Sequence, residues 1–420
     1  MELWKDTKRA NAQKLIDWLL SVKKDGWSVD WLNMVAFAEL GSSSSYEGLT
    51  EPVIMQVLDE MSKNNKKKVD EFETIFEQRL KFNAIATNKK IDCWRFFIPM
   101  DVTLSAGIAR RSRIHILGKE FTFLSLASVK RQLNKKNRNV LRDTNQITLN
   151  TGIIVEKLPN VFISVSTHKS SRDLAWKDIE PAFDALRGLI ELSLGFYGWR
   201  ISIGRESARR KLPHPLWMIA FKKGEPPEWM NFLTDEDSTA TSFELDSKML
   251  SQIKKKAKIF RTEPRQKSTL FLIADCLRLY SQAMDVRFRH LCFLGFWQLA
   301  EAITNSETVG GNTDKVAVRL AWHGMKIGLI GSGYKETLAV LGKKRSDIVH
   351  RGIHEIKDND INILKLACDA AINWLFRIHK SLPTIAHIEH YYRLREMNQT
   401  DFEAIKGCVA YISKHQSKQK

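Results

Sequence analysis

The sequence predicts an α+β fold in which an N-terminal mixed α/β region is followed by an all-α helical bundle. Two observations carry that expectation. From about residue 91 to 225, short runs rich in β-branched and aromatic residues alternate with Gly and Pro turn signals. From residue 245 onward, apolar residues recur at helical spacing. The 420 residues allow two or three domains, and a hydrophobic fraction of 43% is ample for packed cores.

Residues 1–90 read as a helical segment. Leu15, Ile16, Trp18, Leu19 and Leu20 place a helix within 2–24, and Gly41–Gly48 (GSSSSYEG) is a loop by composition. A short helix covers Pro52–Met61 with Pro in its first turn, NNKKK at Asn64–Lys68 breaks it, and Val69–Phe82 resumes helix.

Residues 91–225 form the mixed α/β region, a sensor or RNA-binding domain. Strands are expected in Ile91–Leu104, Arg111–Leu126 and Gly152–Thr167, with Gly118 and Pro159 marking hairpins. Asp173–Phe196 returns to helix, with Pro181 as a split point, and WRISIG and PLWMIAF read as further strands. Residues 222–242, with Pro226, Pro227 and an acidic cluster, read as a linker.

Helices are then expected at 245–261, 266–284, 286–304, 312–327, 333–343 and 358–381, so the helical domain spans 245–382. A tail, 383–420, begins at Pro383 and holds another helix. The helix at 286–304 is apolar on nearly all sides and therefore central or at an interface. It carries Glu301, and Arg319 is the expected partner for that carboxylate.

The formal net charge of +18 and pI of about 9.6 favour polyanionic partners, nucleic acid before membrane. No apolar run approaches the roughly 20 residues of a membrane span. The N-terminus lacks a secretory signal pattern, so a cytoplasmic location and no membrane partner are expected. Cys93, Cys276, Cys292, Cys368 and Cys408 are scattered without a CxxC pair, so no metal site and no cofactor is expected. The chain contains no Walker A loop, GxGxxG, HExxH or GxSxG, which leaves nucleotide hydrolysis, hydride transfer, zinc proteolysis and serine hydrolysis without support.

One run carries chemistry: KKRSDIVHRG, Lys343–Gly352. Gly342 is expected to end the preceding helix in a left-handed conformation. Arg345 and His350 differ by five positions, about 140° around a continuous helix, so they do not share a tight face. A distorted helix, or a second copy of the segment across a two-fold axis, would bring them together. The pair suits metal-free RNA cleavage. A histidine can take the proton of a ribose 2′-hydroxyl or protonate the leaving 5′-oxygen, and an arginine offers a charged fork to the phosphate.

In context, LGKKRSDIVHRG resembles the R-x4-6-H motif of the HEPN superfamily, specifically its Apea-like branch with R-(S/N)-x-x-V-H-x-G. The matching positions are Arg345, Ser346, Val349, His350 and Gly352. FLGFWQLAEAI, ending near Glu301, and TDKVAVRLAWHG are similar to the two helices upstream, and DINILKLACDAAINWLFRI to the closing helix. The resemblance covers about Arg265–Leu382. It implies a HEPN-type helical bundle, a homodimer with a composite site, and metal-independent endoribonuclease activity on tRNA or other RNA. It also implies an effector in antiphage or abortive-infection defence, with a phage-derived activator as a further expected partner. Arg345 carries over as the phosphate-binding group, His350 as general base or acid, and Ser346 as a helper. Glu301, Asp347 and Arg351 support the site, Asp347 as an orienting group; Arg351 departs from the small or variable residue common at that position. His354 lies one turn beyond His350.

Further cations form an expected RNA path: Lys343 and Lys344 beside the motif, and Lys130, Arg131, Lys135, Lys136 and Arg138 within Ser128–Arg142. The alternative to an enzyme is a non-catalytic HEPN adaptor or nucleic-acid-binding protein.

Overall fold

The structure, a computed structural model, describes residues 4, 6–22, 51–86, 92–100, 102–104, 112–133, 141, 158–169, 171–199, 215–222, 225–231, 243–286, 288–304, 312–325, 333–352 and 355–416. It combines helices with an antiparallel sheet, an α+β architecture, and divides into two compact units, Met1–Ile91 and Asp92–Lys420. The expected loop at 41–48, the strand at 200–204, the Pro159 hairpin partner at 152–157, and residues 232–242 of the linker lie outside the described residues.

The first unit is built from α1 (Asp6–Val22), α2 (Glu51–Lys63) and α3 (Val69–Ala86). Ala12, Ile16 and Leu19 repeat at i, i+4 and i+7, and all three are buried with Ile54, Leu58, Phe72 and Phe76. The chain reverses at Asn65, whose φ of 54° is left-handed. The Glu71 carboxylate then accepts the Lys67 and Lys68 N–H groups, both at 2.9 Å, which starts α3. These hydrogen bonds hold Glu71 below its usual carboxylate range.

In the second unit a six-stranded sheet runs in the order β3-β4-β5-β1-β6-β7, with every pairing antiparallel. Its strands are β1 (Asp92–Met100), β3 (Arg113–Ile116), β4 (Lys119–Ser125), β5 (Val161–Lys169), β6 (Trp217–Lys222) and β7 (Glu228–Asn231). The β3–β4 turn puts Leu117 at φ 49° and Gly118 at φ 73°, the two-residue geometry that matches strand twist. Strand β7 is a correction: Glu228–Asn231, read as linker, adds an edge strand to β6. Trp229 explains this, because it packs on Trp217 with ring centroids 5.6 Å apart.

Alternation divides the sheet's side chains. Trp94, Phe96 and Ile98 face one core with Phe121, Phe123 and Ile163, whereas Phe97, Phe162 and Ile219 face another with Val129 and Leu133. Val129 comes from α4 (Leu126–Gln132), and the first face is covered by α5 (Arg172–Trp199). Pro181 does not split α5, which continues through it. The buried Ile179, Ala182 and Phe183 around it are anchored against the sheet core and offset the lost backbone hydrogen bond.

The short parallel pair β2 (Val102–Leu104) and β8 (Phe243–Leu245) leads into the helical part. Asp246 caps α6 (Ser247–Ala257), accepting from the Met249 N–H at 2.7 Å, and Ser268 caps α7 (Thr269–Asp285) through the Phe271 N–H at 3.1 Å. Next come α8 (Arg289–Thr304), α9 (Thr313–Met325), α10 (Tyr334–Arg351), α11 (Asp358–Ile378), α12 (Ile385–Glu396) and α13 (Gln399–Gln416). As its all-round apolar pattern requires, α8 touches α7, α9, α10 and α11.

The regions expected as separate α/β and helical domains share one core, because α5 packs along α7. Gly188 permits this: a Cβ there would lie 2.0 Å from the carbonyl oxygen of Leu277. The buried Arg187 guanidinium joins the same two helices, pairing with Asp184 at 3.3 Å on its own helix and with Asp285 on α7. The stretch expected as a tail contains two helices, and Ile388 and Tyr392 of α12 are fully buried in the helical core. Among the described residues no helix is long and apolar enough to cross a membrane.

Candidate functional site

The motif lies on α10, which runs unbroken through it. Gly342 does not end a helix, contrary to the sequence expectation. It is buried mid-helix at a close crossing, where a Cβ would lie 3.1 Å from the Trp297 ring and 3.3 Å from the Thr313 Cβ. The left-handed terminus is Gly352, at φ 66°, whose N–H bonds to the Ile348 carbonyl at 3.0 Å.

Continuity fixes the faces. Leu338, Leu341 and Gly342 point into the core, and Arg345 continues that side. Its guanidinium pairs with Glu301 at 3.1 Å, with only about a quarter of each side chain exposed. Glu301 also accepts the Trp297 indole N–H at 3.0 Å, one turn back on α8. The expected Glu301–Arg319 pair is therefore not formed. Arg319, 2% exposed, instead binds Glu396 at 2.6 Å and the Thr304 carbonyl at 2.7 Å, and lies over the Tyr392 ring at 4.8 Å. That partner was illegible because Glu396 falls in the stretch read as a tail.

Lys343, Ser346 and His350 repeat at i, i+3 and i+7 on the outward side, and His350 and Lys343 are exposed. Ser346 and Lys343 border a shallow groove with Ala339, Val340, Thr313 and Asp314. One chain thus carries the imidazole and the guanidinium on sides of one helix about 140° apart. Asp347 pairs with Arg351 at 3.6 Å, an i,i+4 contact beside His350. Lys344, expected on RNA, pairs with Asp360 at 2.7 Å, and the same carboxylate oxygen accepts the Lys357 N–H at 2.9 Å to start α11.

Of the distant basic segment, Lys130 is half-buried and Arg131 exposed on α4, while Lys135, Lys136 and Arg138 lie outside the described residues, as does His354. Among the described residues no group of three or more His, Cys, Asp or Glu side chains is placed to hold a metal ion.

Sequence reasoning missed two polar contacts in the helical core. Trp297 as the donor to Glu301 was readable as an i,i+4 pair on α8. His323 was not: it is buried, bonded to the Tyr392 hydroxyl at 2.8 Å and set on Trp374 with ring centroids 4.2 Å apart, all through partners distant in sequence. Compared with family models, curated proteins and solved structures, the chain matches none of them.

Proposed function

We propose that the chain is a metal-independent endoribonuclease of the HEPN type, whose helical part, about residues 265–382, carries a site completed by a second copy. The observation that carries this reading is the exposed His350 beside Lys343 and Ser346, on the same unbroken helix as a buttressed Arg345. In the reaction, one His350 removes the 2′-hydroxyl proton while the 2′-oxygen attacks phosphorus. The bond from phosphorus to the 5′-oxygen breaks, a protonated imidazole or water supplies its proton, and a 2′,3′-cyclic phosphate remains. The Arg345 fork balances charge developing on the non-bridging oxygens, and Ser346 hydrogen-bonds or orients the phosphate. DNA lacks the attacking hydroxyl and is spared.

The net charge of +18 supports a polyanionic substrate. Transfer RNA as that substrate, an antiphage or abortive-infection role, a phage-derived activator and a cytoplasmic setting follow from the family resemblance alone. A second reading, a non-catalytic HEPN adaptor or nucleic-acid-binding protein, is favoured by two features: Glu301 already neutralises Arg345, and no single chain unites Arg345 with His350. The deciding experiment incubates the protein with total tRNA in EDTA beside His350→Ala. The enzyme reading expects cyclic-phosphate fragments from wild type and none from the variant; salt-sensitive binding without cleavage selects the adaptor.

A further inference from the structure

Helix α13 stands out from the rest of the second unit. Every residue from Gln399 to Ile412 is exposed, yet the helix presents Phe402, Ile405, Val409 and Ile412 at spacings of three, four and three. Val409 and Ile412 are more than half exposed. Such a stripe is the seam of a helix that packs against another helix. Contiguous apolar patches of a few hundred Å² on a soluble chain mark interaction sites.

We propose that this face pairs antiparallel with α13 of a second copy of the chain. Three observations favour that occupant. The stripe is palindromic in position: about a two-fold axis level with Gly407, Phe402 of one helix meets Ile412 of the other and Ile405 meets Val409, so the interface is self-complementary. The charges suit reversal: Glu403 and Lys406 pair within the helix at 3.2 Å, and antiparallel pairing sets Asp401 at the acidic start of each helix beside Lys414 near the far end of its mate. The two macrodipoles also oppose each other in this arrangement. Cys408, exposed in the single chain, lies one residue from the level of that axis at the edge of the stripe, where pairing brings it near its mate.

This self-association surface shares no residue with the proposed RNA site, although that composite site also needs two copies in contact, so a wild-type monomer would overturn both readings. The test uses full-length protein. Light scattering at micromolar concentration should give a dimer for wild type and a monomer for Ile405→Asp/Ile412→Asp. Both substitutions are on solvent-exposed positions, so circular dichroism should be unchanged. In a Cys93→Ser background, mild oxidation should produce a covalent dimer that Cys408→Ser abolishes. A wild-type monomer would overturn the proposal and leave the face to a different protein. A dimer that survives the double Asp substitution would also overturn it. In that second outcome the ribonuclease reading would remain open, because another surface would then hold the two copies together.

Discussion

Gly188→Ala separates two accounts of how the chain is organised, because they predict opposite signs. If the mixed α/β region and the helices after residue 245 were independent domains, alanine would improve α5 by about 1 kcal/mol through helix propensity alone. In the structure the added Cβ falls 2.0 Å from the Leu277 carbonyl oxygen. Restoring ordinary contact requires α5 and α7 to part by about 1.4 Å in a close-packed interior. Overpacking of this kind costs about 1–3 kcal/mol, and a backbone obstacle, unlike a flexible side chain, puts the cost at the upper end. Subtracting the propensity gain leaves a net loss of about 2 kcal/mol, a fall in melting temperature of about 3 °C for a unit of this size. Urea denaturation followed by circular dichroism, with calorimetry, reads both numbers. A variant as stable as wild type, or more stable, would refute the shared core.

Two further substitutions probe buried charge. Glu396→Ala leaves the Arg319 guanidinium buried with only the Thr304 carbonyl and the Tyr392 ring; because Glu396 itself is partly exposed, a loss of about 2 kcal/mol is expected rather than the full cost of breaking a buried pair. The same denaturation experiment checks it, and Arg319→Met/Glu396→Leu should recover most of the loss. Burial pushes the Lys256 ammonium down to about 8, against a smaller opposing pull from Asp369. Between that value and the usual lysine range the unfolded chain holds more protons than the folded one, so this group's contribution to stability rises with pH across about 8–10.4 and is least favourable below 8. Lys256→Met should therefore stabilise the protein at pH 7 by about 1–2 kcal/mol, net of the lost 2.9 Å bond to Asn373, and flatten the stability profile over that window.

The elements of this fold were legible where period and punctuation agreed. The strands β1, β3, β4 and β5 and the helices α7, α8, α9 and α11 follow from alternation, 3.6-residue spacing and Gly or Ser signals. Misreadings came from residues whose local meaning is overridden at a distance. Gly342 reads as a terminator but serves a close approach to Trp297, and Pro181 reads as a break but sits in an anchored helix. Pro383 suggested a tail, although the chain beyond it delivers Tyr392 and Glu396 to the core. At the candidate site, the 140° separation of Arg345 and His350 was readable from spacing. The family resemblance named Glu301 as support for the site, but its ion pair with Arg345 was not readable, because Glu301 comes from a different helix and spacing had assigned it to Arg319.

The proposed RNA-cleaving site joins Arg345 of one chain with His350 of another. Mixing Arg345→Ala with His350→Ala tests it directly, after partial denaturation and refolding to exchange chains. Each variant alone should be inactive on tRNA in EDTA. Random exchange makes half of the dimers heterodimers with one intact site of two, so the mixture should recover roughly a quarter of wild-type cleavage. Two inactive variants that stay inactive when mixed, with heterodimers confirmed by mass, would contradict a shared site.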